Sequence, residues 1–538
     1  MNSKYLDDRD KLDSLLEDKI PTGTISLVIL SFTYQALKSS GKFMKLATDI
    51  TSNIMEDVKT EVLNYIIDNK LSLDELLDIT EYFIHSADHY RITLKKAYLD
   101  TVYSLLKLDN NELIQLPQCS CYTALLYIYR KGKEENKAFR YSFIDDDSFN
   151  INLITLLSDL LDIDITIKEA NPLEYDSYEF DKALLMIDPD KHNHVLTNIE
   201  INNDALKLAS DYSYFMIDKL LAKLKDNERI VAILLNRSLY RSNGKAYRDY
   251  LVSNHLIEGI ISMVGSTLTN TFTETQVLVL SKNNEASKVI DSHKFLADNR
   301  ASSFNASYVL DEYNSSSCKT LTAEKLLTKN NLLAEKLLLK EVEVKNPKLL
   351  KDVATIHQGT QYTLLNFKAQ VTDSKTNYCL LTPSDIDEGL ILWDNITYAN
   401  IDTDKYDKHC VHKNDLIMTS KSTTNKIAVM YEEPKVKTIA SGGMYIIRPD
   451  VNVINPFYLK AFLDSASGQI IIDSITSTGI LHLISRKGLE TITVPCPSIE
   501  EQNKFAEEYK KKLSEFIEIK EKKSILYNEL NNFFDKDN

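Results

Sequence analysis

The chain has 538 residues, 43% of them hydrophobic and 26% charged, with a net charge of −15. That is apolar material for several cores, and too acidic a balance for a uniformly basic nucleic-acid binder, although a local basic patch stays compatible with it. Only 13 glycines are present, and no two stand in G-x-G spacing, which excludes a Walker A loop and a GxGxxG dinucleotide turn.

Residues 1–90 carry apolar positions at helical spacing, such as Leu12, Leu15, Leu16 and Ile20, then Leu73, Leu76, Leu77 and Ile79. Ser72-Leu73-Asp74-Glu75 resembles a helix start. Thr24 to Leu37 is the most apolar run; it is too short to span a membrane and reads as a buried helix. The charged segment Met1–Asp10 lacks the shape of a signal peptide, so we expect a soluble, cytoplasmic protein without membrane contact.

From about 91 to 295, helices alternate with short β-branched runs. Candidate strands are Glu112–Leu116, Phe139–Ile144, Ile163–Lys168, Ala183–Ile187, Arg229–Leu235, Ile257–Met263 and Thr275–Ser281. Candidate helices between them are Ile151–Leu161, Tyr212–Leu224 and Lys245–Ser253. This alternation predicts a doubly wound α/β sheet, whose ligands sit beyond the carboxyl ends of the strands. The loops at 117–122, 145–147, 170–173 and 188–191 are therefore the places to look.

Residues 320–345 are rich in Leu, Lys and Glu and read as a helical connector. From 346 to 498 the chain turns β-rich, with a helix at Pro456–Ser465, and Ile499 to about Phe534 reads as one long helix. Its length suits packing against a second long helix. Trp393, after an apolar run, is expected in a core. The six cysteines form no C-x-x-C pair and no zinc spacing, so no metal is expected. Neither a G-x-S-x-G elbow nor H-E-x-x-H occurs.

Arg229-Ile230-Val231-Ala232-Ile233-Leu234-Leu235-Asn236, the Arg248-x-x-Leu251 pattern, Leu256–Ile261 and the Thr-bearing Thr269–Leu280 stand in order and spacing. Over these residues the chain resembles the adenine methyltransferase subunits of type I restriction–modification systems. Residues 320–338, with Asn330–Glu335 toward their end, look like the segment with which those subunits close. A second resemblance covers 346–538. Leu349–Gly359, Lys413–Ser420, Pro456–Leu459, Ser477-Thr478-Gly479 and Val494–Gln502 look like the target recognition domain of a type I specificity subunit, with its spacer helix. Specificity subunits carry two such domains and this chain carries one, so it looks like a half-subunit.

The resemblance implies a fold class that is multidomain α/β and α+β. A helical N-terminal domain (1–90) precedes a Rossmann-like class I methyltransferase fold (91–319) and the connector (320–345). A β-rich target recognition domain (346–498) and a long C-terminal helix (499–538) follow. In the methyltransferase family a glycine-rich turn after the first strand binds S-adenosylmethionine. Here it falls at Leu116-Pro117-Gln118-Cys119-Ser120-Cys121-Tyr122, without a glycine. Pro117 and Cys119, with Asp145 and Asp146 after the second strand, are the degenerate cofactor positions. The family's Asn/Asp-Pro-Pro-Tyr/Phe catalytic loop falls at Asp188-Pro189-Asp190-Lys191, keeping Asp188 and Pro189 but neither the second proline nor the aromatic ring that stacks on a flipped base.

These losses lead us to expect no cofactor and an inactive methyltransferase-like scaffold within a sequence-specific DNA-binding subunit for phage defence. Two alternatives stand beside it: an active S-adenosylmethionine-dependent adenine N6-methyltransferase with a remodelled pocket, and an assembly protein without DNA readout. The expected partner is double-stranded DNA, read by three polar segments. They are Gln358, Gln361, Tyr362 and Lys368; then Lys421, Thr424, Asn425 and Lys426; then Ser477, Thr478, His482, Arg486 and Lys487. The C-terminal helix implies self-association or pairing with a second specificity or methyltransferase subunit, and any cleavage would come from a separate nuclease subunit.

Overall fold

The structure is a computed structural model. It describes residues 3–531 apart from 22, 39, 87–92, 119, 187–200, 264–267, 270–272, 296–305, 330, 361–370, 373–374, 394–395, 400–403 and 478–481. The chain divides into two compact units, Met1–Leu338 and Leu339–Asn538.

The first unit opens with helices Ser3–Leu16, Ile25–Leu37, Met44–Ile50, Glu56–Asp68 and Leu73–Ser86. Leu12, Leu16, Phe32, Val62, Leu76 and Phe83 interlock as their common core. Ser72 and Glu75 form the reciprocal cap expected from the sequence: the Ser72 amide donates to Glu75 Oε2 at 2.8 Å, and the Glu75 amide to Ser72 Oγ at 3.3 Å. Ile25–Leu37 is buried over Ser26–Tyr34. It tolerates two interior hydroxyls because Ser31 and Thr33 donate to the carbonyls of Leu27 and Ile29. Among the described residues no helix is long and apolar enough to cross a membrane.

Nine strands of the described residues then form one sheet: β1 (Leu113–Gln115), β2 (Arg140–Asp145), β3 (Ile165–Glu169), β4 (Lys182–Met186), β5 (Arg229–Leu235), β6 (Ile257–Met263), β7 (Thr275–Leu280), β8 (Ala286–Asp291) and β9 (Thr320–Thr322). Their order is β3-β2-β1-β4-β5-β7-β6-β8-β9. The run from β3 to β5 is parallel, and β7 lies antiparallel between β5 and β6. β4 and β5 are apolar through most of their length because helices cover both faces. The order reverses between β1 and β4, which opens the ligand crevice of a doubly wound sheet at their carboxyl ends.

The expected connector differs from its sequence reading. Thr320–Thr322 is an edge strand paired with β8, and the short helices Ala323–Leu327 and Ala334–Leu337 bury Leu326, Ala334 and Leu337 in the core of the first unit. Leu321, Leu326, Leu332, Leu333 and Leu337 therefore serve packing.

In the second unit, Ala354–Gln358, Met444–Pro449, Leu416–Thr419 and Ile427–Val429 make an antiparallel sheet in that order. A second sheet joins Val371–Thr372, Thr397–Ala399, Tyr378–Leu381 and Lys437–Ala440. Helix Pro456–Asp464 starts where Asn455 caps the amides of Phe457 and Tyr458, with proline at its first position. The C-terminal helix runs Ile499–Asn531. Its first turn is pinned by the buried Gln502, which accepts from the Asn455 amide and donates to the carbonyls of Val453 and Pro497. Trp393 corrects its expectation: it is 47% exposed, because the hairpin before it, Ile386–Asp387 with Leu390–Ile391, is too short to offer a covering face.

Candidate functional site

The crevice of the first unit is built from three strand ends. After β1, the described residues Leu116, Pro117, Gln118, Ser120, Cys121 and Tyr122 are all buried, and helix Cys121–Glu134 begins there. Ser120 takes the left-handed conformation, φ 59° and ψ 21°. A glycine adopts this without strain, whereas an L-residue is disfavoured by roughly 1–2 kcal/mol. Its Oγ accepts a hydrogen bond from the Leu94 amide, which offsets that strain. The Gln118 side chain is buried, and neither its nitrogen nor its oxygen meets a partner among the described residues. Cys119 lies outside the described residues.

Asp145 closes β2 with no exposed surface. Its Oδ1 accepts from the amides of Asp146 at 2.8 Å and Asp147 at 3.1 Å, and its Oδ2 from Asn150 Nδ2 at 2.9 Å. Asn150 also donates to the Gln118 carbonyl at 3.2 Å, stitching the two loops together. Asp147 caps the next helix through the Phe149 amide, and Asp146 is the exposed member of the three. Asp188 and Pro189, beyond the end of β4, lie outside the described residues.

A polar cluster farther along the same edge escaped the sequence reading. Asp291, ending β8, accepts from Ser262 Oγ at 3.1 Å and lies 2.8 Å from His293 Nδ1. The Asp291 hydrogen bond raises the His293 pKa against its burial. Burial raises the Glu335 carboxyl, whose Oε2 accepts from Gln276 Nε2 at 2.8 Å. Arg248 of the Arg-x-x-Leu pattern is buried and donates to the carbonyls of Ser238 and Arg241, so it holds the turn after β5.

In the second unit, two of the three expected DNA-reading segments meet directly. Lys421–Ser422 pairs antiparallel with His482–Leu483, and the Ile484 amide donates to the Ser420 carbonyl at 3.0 Å. Ser477 secures the same ribbon by accepting from the Leu483 amide at 2.8 Å. The third segment approaches through the 441–443 turn: Ser420 donates to the Gly443 carbonyl, and the Thr360 amide to that of Ala440. Exposed Gln358 faces the same turn, with Nε2 3.5 Å from the Gly442 carbonyl. Gly359 makes the approach feasible, since a Cβ there would meet the Ser441 carbonyl oxygen at 2.0 Å.

Lys421, Thr424, Arg486 and Lys487 are exposed on this surface, with Arg486 paired to Glu490 at 2.8 Å. His482 is partly buried, and its Nδ1 meets no partner among the described residues. Two expected contacts are committed elsewhere: Lys426 Nζ donates to the carbonyls of Pro383 and Ile386, and Asn425 Nδ2 to Thr476 Oγ1. Gln361, Tyr362, Lys368 and Thr478 lie outside the described residues. The structure adds His357 and His409, the latter 3.2 Å from the Gln358 carbonyl through Nδ1. The His357 pKa is lowered by burial, then by Arg448 and Arg486. No sequence signal joins His357 to His409; the sheet brings them together.

The family model described as N-6 DNA Methylase matches residues 101–338. Among curated proteins no match was found. Among solved structures, the methyltransferase subunit of a type I restriction–modification system from Streptococcus thermophilus is 17% identical. That alignment covers 62% of this chain and 85% of the other, with a TM-score of 0.42. A putative class I S-adenosylmethionine-dependent methyltransferase from Listeria monocytogenes is 12% identical over 58% of this chain and 98% of its own, with a TM-score of 0.43. The family match falls on the unit with the large central sheet.

Proposed function

We propose that this chain is a sequence-specific DNA-binding subunit of a type I-like restriction–modification system, in which the methylase-like domain is a scaffold without methyl transfer. The observation that carries the reading is Asp145. Of the two carboxylates expected at the cofactor, Asp145 is enclosed, with Oδ1 held by two amides of its loop and Oδ2 by Asn150 of the next helix, while Asp146 is exposed. The turn beside Asp145 supports the same reading, since it holds side chains, buried at Gln118 and Ser120, where the family has glycines. The described residues of the crevice do not fit S-adenosylmethionine. DNA recognition is assigned to the surface around Gln358, Lys421, Thr424, His482, Arg486 and Lys487.

Binding of the full chain to a pool of random duplexes tests this. The expected result is binding that weakens steeply with salt, about 0.9 log units per phosphate contacted for each log unit of salt. Lys421→Ala and Lys487→Ala should each reduce that slope by about 1. Absence of duplex binding at low salt would remove the reading.

One observation favours the enzyme alternative. A buried, unpartnered Gln118 amide in the crevice is the kind of group a bound ligand satisfies. Gln118→Leu separates the two readings: a scaffold keeps or gains stability, whereas an enzyme using that amide loses methyl transfer.

A further inference from the structure

The C-terminal helix, Ile499–Asn531, presents two distinct faces. Gln502, Ala506, Tyr509 and Leu513 face the second unit, and Lys520 continues that line by pairing with Asp387 at 2.6 Å and Glu388 at 3.0 Å. Roughly a quarter turn around the helix, at 100° per residue, runs a second line: Lys512, Phe516, Ile519, Lys523, Leu526 and Leu530. Its steps of 4, 3, 4, 3 and 4 residues are those of a heptad seam. All six side chains are exposed, Leu530 at 70% and Ile519 at 64%. A seam of this kind on a solvated helix is a pairing surface.

Self-pairing fits it poorly. A parallel, in-register pair would set Lys512 against Lys512 and Lys523 against Lys523. The antiparallel pair that overlaps all six seam positions matches Phe516 with Leu526, but it sets Lys512 against Leu530 and Lys523 against Ile519. Sliding by one heptad matches Phe516 with Ile519 and sets Lys512 against Lys523. Each of these registers places cations in an apolar seam with no carboxylate at the facing seam position. Lys512 has a carboxylate partner at 2.9 Å in Glu515 of its own helix, but exposed pairs of this kind contribute little and exchange readily.

We propose that the helix pairs with a helix of a different chain, one that carries Asp or Glu at two positions eleven residues apart in an otherwise apolar heptad seam. The acidic positions meet Lys512 and Lys523, while Phe516, Ile519, Leu526 and Leu530 pack against aliphatic layers. The two lysines thus select the partner and disfavour a second copy. This rests on the reading of the C-terminal helix as a pairing surface and is independent of DNA recognition.

Sedimentation of the full chain, combined with binding of two synthetic probe helices, tests the proposal. The probes share one leucine–isoleucine seam and differ only at the two layers opposite the lysines, glutamate in one and lysine in the other. We expect a monomeric chain that binds the glutamate probe at least tenfold more tightly, with the preference inverted by the double variant Lys512→Glu, Lys523→Glu. A stable dimer of the chain alone, or equal binding of both probes, overturns the proposal while leaving the helix a pairing surface. Failure of both probes to bind overturns the proposal and the pairing surface together. DNA binding is measured separately and is unaffected by any of these results.

Discussion

At the scale of single residues, the carboxylates of the first unit hold its loops. Asp145 accepts from two backbone amides and from Asn150, so Asp145→Ala leaves buried donors unpaired. Each costs about 1–3 kcal/mol, and we expect a loss on the order of 3 kcal/mol, read from urea unfolding. His293 gives a pH signature. Its folded pKa is raised by Asp291, so its contribution is fully present below the unfolded value of about 6.5 and is lost as pH rises through the folded value. The pair is partly exposed, which limits the effect to under about 1 kcal/mol, or about 2 °C in melting temperature. Thermal melts across neutral pH should show this decline in the native chain and a flatter profile in His293→Gln. Glu335 acts oppositely: burial disfavours its charge, so Glu335→Gln should be neutral or stabilising at neutral pH and should keep the acceptor for Gln276.

At the scale of elements, long regular segments were legible and short edge strands were not. Arg229–Leu235, Ile257–Met263 and Lys245–Ser253 match their sequence readings residue for residue, because each is a sustained apolar period between turn residues. β8 and β9 escaped it. Ala286–Asp291 holds few β-branched residues and Thr320–Thr322 is three residues long, so both depend on neighbouring strands that no local pattern reveals. The loops around the site were placed by strand ends, but the roles of Lys426 and Asp145 were not readable. Both side chains are polar and loop-borne in sequence, and only the fold commits them to carbonyls or amides. The meeting of the 420 and 482 segments is likewise a product of the ribbon between them. Gly359→Ala tests how that surface is held: its Cβ would strike backbone oxygen, so we expect marked destabilisation, on the order of 2 kcal/mol or more, measured by chemical unfolding.

At the scale of the whole molecule, the chain joins a unit in which residues 101–338 match the N-6 DNA Methylase model to a β-rich unit with a long helix. The scarcity of glycine first excluded phosphate-binding loops, and the fold then located it. No glycine stands in the turn after β1, where Ser120 takes the left-handed conformation instead. That turn, with Asp145 turned inward beside it, underlies the central claim that the unit supports DNA recognition without methylating. The most direct measurement is calorimetric titration of the full chain with S-adenosylmethionine. The expected result is no binding heat up to about 1 mM cofactor, and binding with a Kd in the low micromolar range, near −8 kcal/mol, would contradict the claim.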